Sequence, residues 1–232
     1  MLKKNQNMTK LIIFDFDDTI TDNFLLDFKS FYFTCKKFGI KCPIKNKILK
    51  FRREGLLAND ISKQLIDNNK IDLDSFITYR KEFLENNSVK YLRLKKNIKK
   101  LFDFIKTKEM KNVVCSANKH KFIIENFLKA NKIFHNFNKI LTTDELGFRI
   151  DNTSFSNRVL IKNSLLHNVL KKFKIPTSEI VFVGNSLEDL QSANYYGIPF
   201  IYIQNYYLPL LKKKNIYAVN SMTKLRKIIG SL

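Results

Sequence analysis

The segment Leu11-Ile12-Ile13-Phe14-Asp15-Phe16-Asp17-Asp18-Thr19-Ile20 constrains this chain more than any other. Four consecutive apolar residues read as a short strand buried on both faces, the pattern of a parallel sheet. The strand then runs into three carboxylates within four positions, Asp15, Asp17 and Asp18. Like charges at the edge of a core repel one another and lose hydration, so something cationic has to offset them. Taken alone, the turn is equally a polar strand end with an aspartate cap.

Three more strand-like runs follow, Val113–Cys115, Ile180–Val183 and Phe200–Ile203, each leading into turn residues and then a helical pattern. Lys139–Thr142 supplies a weaker fifth. Strands alternating with helices predict an α/β fold, a Rossmann-like parallel sheet covered on both faces. The stretch Leu94–Lys108 sets Leu94, Ile98, Leu101, Phe102 and Ile105 on one helical stripe with its lysines elsewhere. Residues 22–92 have a different texture: helical patterns over Phe24–Phe38, Ile44–Arg53, Asn59–Ile66 and Asp72–Leu84, and no convincing strand. A connection of that length is far too long for a plain loop, so it reads as an inserted all-helical subdomain. The expected division is a core of residues 1–21 and 93–232 with a cap of residues 22–92.

The carboxylates do not stand alone. The second strand ends in Cys115-Ser116-Ala117-Asn118, a further helical pattern begins near Lys162, and the Ile180 strand ends in Gly184-Asn185-Ser186-Leu187-Glu188-Asp189. In an open parallel sheet, ligands bind outside the carboxyl ends of the strands, where all these groups would project. In order and spacing, over about residues 10–205, the four motifs resemble those of the haloacid dehalogenase-like hydrolases. DFDDT is similar to that superfamily's DxDx[TV], Ser116 to its strand-end Ser/Thr, Lys162 to its basic residue, and GNSLEDL to its GDSxxDL. The cap expected after the first strand resembles that of its phosphoglycolate phosphatase and beta-phosphoglucomutase type.

The resemblance implies a phosphatase acting on a small phosphorylated metabolite. Asp15 would attack phosphorus to form an aspartyl-phosphate, and Asp17 would serve as general acid and then base. Thr19 would hold the turn in shape, Ser116 would donate to a phosphoryl oxygen with Asn118 beside it, and Lys162 would neutralise charge. Mg²⁺ is the implied cofactor, with Asp15, Asp17, Asn185 and Asp189 as its expected ligand set. Arg52 and Arg53, at a turn between cap helices, would contact the substrate. One departure stands out: Asn185 occupies the place of a metal-binding Asp, so a unit of charge is lost, and Glu188 and Asp189 would compensate. A sugar-phosphate mutase of the same superfamily is the first alternative, and a catalytically weakened binding protein, resting on Asn185, is the second.

Composition narrows the rest. Formal charge is +21, with residues 36–53 and 90–111 especially basic. Much of it reads as solvated helix faces, so nucleic acid is not the expected partner. His120, His135 and His167 are scattered without metal spacing, and the three cysteines form no CxxC pair, which argues against a disulfide framework or zinc knuckle. No glycine-rich phosphate loop is present. The apolar run at Leu11 is broken by Asp15, leaving neither a signal-peptide core nor a membrane span, and a cytoplasmic location is expected. Residues 1–7 read as a loose extension before Met8, an alternative start.

Overall fold

The computed structural model describes residues 9–67, 69–117, 120–147, 154–205 and 217–232 of the 232-residue chain; residues 1–7 and Asn118 therefore lie outside the described residues. Strand β1 (Leu11–Phe14) and the short β2 (Thr21–Asp22) lead into α1 (Phe24–Lys37), α2 (Lys45–Arg53), α3 (Ala58–Ile66) and α4 (Leu73–Tyr91). After β3 (Arg93–Leu94) come α5 (Ile98–Thr107), β4 (Lys111–Ser116), α6 (Lys121–Ala130) and β5 (Lys139–Thr142). Then follow α7 (Phe155–Phe173), β6 (Ile180–Gly184), α8 (Leu187–Tyr195), β7 (Phe200–Ile203), β8 (Tyr217–Val219) and α9 (Met222–Ile229).

The chain divides into two compact units. The described residues of the first run to Thr21, from Leu94 to Gln204 and from Tyr217 onward; those of the second run from Asp22 to Arg93, with Asn205. The first unit is an α/β fold built on a six-stranded sheet of order β5-β4-β1-β6-β7-β8. Every pairing in it is parallel. β1 is wholly buried, as its continuous apolar run requires when helices cover both faces. It pairs with β4 through Leu11↔Lys111 to Phe14↔Val114 and with β6 through Leu11↔Ile180 to Phe14↔Val183. From β1 the order runs one way through β4 and β5 and the other way through β6, β7 and β8. β1 is therefore the switch point of the sheet, the place outside whose carboxyl end open α/β sheets bind their ligands.

The helices follow the apolar stripes with some shifts at their ends. In α5, Ile98, Leu101, Phe102 and Ile105 are buried while Lys99, Lys100 and Lys106 are exposed. Leu94, expected in the same helix, belongs instead to β3, because Asn97 at φ +66° starts the helix later. α7 begins at Phe155, well before Lys162, with Ser154 Oγ accepting from the Asn157 amide at 3.1 Å. Lys162 thus sits mid-helix rather than at a helix start. α4 continues past Leu84 to Tyr91, beyond the last periodic apolar residue.

The second unit is all-helical apart from its ends. Its core gathers Phe24, Phe31, Cys35, Ile48, Phe51, Ile61, Ile66 and Phe76. Beside it, the Asp27 carboxylate receives Arg52 Nε at 2.8 Å and Arg52 Nη2 at 2.6 Å. Arg80 Nη2 also reaches it at 2.6 Å, and the Arg80 guanidinium lies 4.1 Å from the Phe31 ring centroid. Burial pushes the Asp27 carboxyl up, but the two arginines outweigh it and hold it below the usual carboxylate range. The three cysteines are free, as their spacing led one to expect.

Candidate active site

The carboxyl ends of β1, β4 and β6 bring the expected residues of the first unit together. Immediately after β1, the Asp15 amide donates to the Val183 carbonyl at 2.9 Å, which extends the β1–β6 ladder by one residue. The chain then turns sharply. Asp18 takes φ +59°, a left-handed conformation that aspartate tolerates better than most side chains. The amides of Ile20 and Thr21 and the Thr21 hydroxyl all donate to the Phe16 carbonyl. Asp15, Asp17 and Thr19 are buried by this turn, as is Ser116 at the end of β4.

Lys162 is the cation that these carboxylates need. Its Nζ lies 2.5 Å from Asp15 Oδ1 and 2.9 Å from Asp189 Oδ1, and it also donates to the Cys115 carbonyl at 2.9 Å. Burial alone would lower the ammonium pKa, but Asp15 and Asp189 outweigh it and raise it above the ordinary lysine value. Burial pushes the Asp15 carboxyl up to about 8, with Lys162 pulling down and Asp189 and Asp17 pushing up. One lysine thus serves two buried acids.

Asp189 is held as tightly as Lys162. Its Oδ2 accepts from the amides of Asn185 and Ser186, both at 3.2 Å, while Ser186 Oγ accepts from the Asp189 amide at 3.1 Å. Gly184 makes this possible: a Cβ there would lie 2.6 Å from Asp189 Oδ2. Both oxygens of Asp189, expected in the metal set, are therefore turned to Lys162 and to the main chain. Glu188 is likewise engaged, with Oε1 2.6 Å from Arg158 Nη2. Sequence reasoning did not foresee that pair. Its one signal was the four-residue spacing of Arg158 and Lys162, which sets two cations on one face of α7.

Asn185 faces the Asp15 turn. With its amide nitrogen inward, the two hydrogens of Nδ2 are shared among the Asp17 carbonyl at 3.1 Å, Thr19 Oγ1 at 3.2 Å and Asp15 Oδ2 at 3.3 Å. In the opposite orientation the amide oxygen finds one donor, the Thr19 hydroxyl at 3.2 Å, and otherwise confronts acceptors. Amide orientation is assigned from its neighbours, and these neighbours demand the nitrogen. Among the described residues no three His, Cys, Asp or Glu side chains gather as a metal cage. Asp15 Oδ2, the Asp17 carbonyl and the Asn185 side chain nonetheless converge, and with the amide turned all three present oxygen. That set fits Mg²⁺, which takes few protein ligands and keeps several waters.

Arg52 and Arg53 belong to the helical unit. Arg52 is bound to Asp27 and donates to the Leu56 carbonyl at 3.0 Å, and Arg53 beside it is exposed. His120 Nδ1 lies 2.8 Å from Asp144 Oδ1, and Asp144 Oδ2 accepts from the Lys121 amide at 2.7 Å, a capping arrangement at the start of α6.

Strand-end carboxylates around a buried lysine at the switch point mark the candidate active site of an α/β fold. The family model for haloacid dehalogenase-like hydrolases matches residues 12–203, and the chain belongs to that family. It is 23% identical over 222 residues to a protein provisionally named pyrophosphatase PpaX from Caldanaerobacter subterraneus subsp. tengcongensis, covering 94% of this chain and 93% of that one. Among solved structures it is similar to a provisionally assigned phosphatase from Clostridium difficile, with TM-score 0.79, 18% identity, and 96% and 99% of the two chains covered. A protein described as a phosphoglycolate phosphatase by prediction, from Haemophilus somnus 129pt, aligns with TM-score 0.74 and 21% identity over 97% of this chain and 99% of that one. At these identities the structures speak for the fold. No helix among the described residues is long and apolar enough to cross a membrane.

Proposed function

We propose that the protein is a Mg²⁺-dependent phosphatase hydrolysing a small phosphate monoester through an aspartyl-phosphate, with the helical unit as its cap. The observation that carries this reading is the buried contact of Lys162 with Asp15 at the switch point of the sheet. A carboxylate cannot approach a phosphate dianion unless cations offset both charges, and Lys162 is built in for that purpose. Names of the similar proteins, a pyrophosphatase and phosphatases, agree with phosphate as the substrate group.

In this mechanism an Asp15 carboxylate oxygen attacks phosphorus while the Asp17 carboxyl gives its proton to the leaving oxygen. The Asp17 carboxylate then takes a proton from water, which attacks phosphorus, releases phosphate and regenerates Asp15. Ser116 donates to a phosphoryl oxygen. Lys162 stays protonated throughout, fixed by Asp189. Asp15, the Asp17 carbonyl and Asn185 would hold the metal, which when bound supplies positive charge to the phosphoryl oxygens.

A screen of phosphate monoesters and pyrophosphate with Mg²⁺, reading released phosphate, tests this. Steady release from one or more small monoesters is expected. Isomerisation of a sugar phosphate with little release would make the protein a mutase, and inertness toward every compound would overturn the hydrolase reading.

A further inference from the structure

Asn185 is the one place where the centre departs from the expected carboxylate, and its contacts show what the amide does there. With the amide turned nitrogen-inward, Nδ2 faces three acceptors, the Asp17 carbonyl, Thr19 Oγ1 and Asp15 Oδ2, at 3.1, 3.2 and 3.3 Å, which its two hydrogens share. The main chain at this point is fixed, since the Asn185 amide is bonded to Asp189 Oδ2. The side-chain amide therefore meets these groups from a set position, and its main remaining freedom is rotation of its terminal group. A carboxylate in the same place would set lone pairs against the Asp17 carbonyl and the Asp15 carboxylate, and only the Thr19 hydroxyl could turn to donate to it. Such a centre would need a cation to hold it together. This one has a donor instead.

We infer that Asn185 takes the cation's place in the metal-free centre, bridging Asp15 and the Asp17 carbonyl as a hydrogen-bond donor, and that its amide must turn over to admit a metal. Asn185 is thus a positioning residue in one state and a metal ligand in the other. The fold of the centre is then indifferent to divalent cations, and metal binding is weakened twice, by the missing charge and by the bonds given up on turning. The inference rests on the metal site proposed above but not on which phosphate the enzyme takes.

The test is thermal unfolding of the full chain and of Asn185→Asp and Asn185→Ala, each in chelator and in millimolar Mg²⁺. In chelator both variants should melt lower than wild type by roughly 5 °C, the scale expected for losing one or two kcal/mol from a chain of this size. Mg²⁺ should restore Asn185→Asp, leave Asn185→Ala low and move wild type by less than about 2 °C. Calorimetric titration should show Mg²⁺ bound at least tenfold more tightly by Asn185→Asp than by wild type. If Asn185→Ala is as stable as wild type in chelator, or if Mg²⁺ stabilises wild type as much as Asn185→Asp, the inference is overturned. An Asn185→Asp variant that Mg²⁺ does not restore would instead overturn the proposed metal site, and Asn185→Ala would still decide the donor role.

Discussion

Replacing Lys162 with methionine keeps the length of the side chain and removes its charge. Nζ sits 2.5 Å from Asp15 Oδ1 and 2.9 Å from Asp189 Oδ1. At an effective dielectric of 20, each attraction is gross about 6 kcal/mol. Most of that is cancelled by the cost of burying the ammonium, and when one partner of a buried pair is deleted the net loss is about 3–5 kcal/mol. Two acids lose their partner here, so the upper part of that range is expected at pH 8. At pH 5.5 the loss should be smaller. Without the lysine the Asp15 carboxyl pKa, already raised by burial, rises further, so the folded variant holds a proton that the unfolded chain has released, and its stability falls as pH rises. Urea unfolding of wild type and Lys162→Met at the two pH values measures both the loss and its slope. Phosphate release should fall at least about a hundredfold, since the attacking carboxylate then faces the phosphate unscreened. A variant within 1 kcal/mol of wild type at pH 8, or one whose loss is the same at both pH values, would refute the charge accounting.

Two further outcomes follow from groups elsewhere. Asp27→Asn leaves Arg52 and Arg80 without their shared counter-charge and should destabilise the helical unit by about 3–5 kcal/mol in a denaturant melt, less than 1 kcal/mol contradicting the network. Because the Asp27 pKa is lowered, its contribution is present above pH about 4 and is lost as pH falls through the folded value, so acid unfolding should begin earlier in wild type than burial alone would set. The Asp15 carboxyl, at about 8 in the metal-free centre, must give up its proton to take a cation. Mg²⁺ affinity of wild type should therefore rise about tenfold per pH unit toward pH 8 and level off above it, and a flat calorimetric profile from pH 6 to 9 would contradict that pKa.

Much of the centre was legible because its residues sit where strands end. An apolar run stopping at Asp15, another at Ser116 and a third at Gly184 already place those groups at one edge of a parallel sheet, whereas Lys162 was implied by the family resemblance. The path of the helix that carries Lys162 was less legible, since Ser156, Asn157 and Arg158 hide its true start at Phe155 behind polar residues. Contacts between distant segments could not be read at all. The Arg52 guanidinium pairs with Asp27, 25 positions away, and Arg80 reaches the same carboxylate from 53 away. The orientation of Asn185 depends on Thr19, 166 positions distant. Helix α7 brings a cation to each of Glu188 and Asp189, Arg158 and Lys162, pairs that no local pattern announces. The short β8 strand, only three residues, carries too little pattern to be found by periodicity.

Asp15 is the attacking group of the proposed mechanism. Its most direct test is phosphate release by wild type and Asp15→Asn, on a substrate found by the screen, with Asp17→Asn alongside and circular dichroism matched among the three. The amide is nearly the same shape and a poor nucleophile, so Asp15→Asn should be folded and inactive, and Asp17→Asn nearly as impaired through loss of its proton shuttle. An Asp15→Asn variant that keeps activity within about tenfold of wild type would contradict the aspartyl-phosphate mechanism.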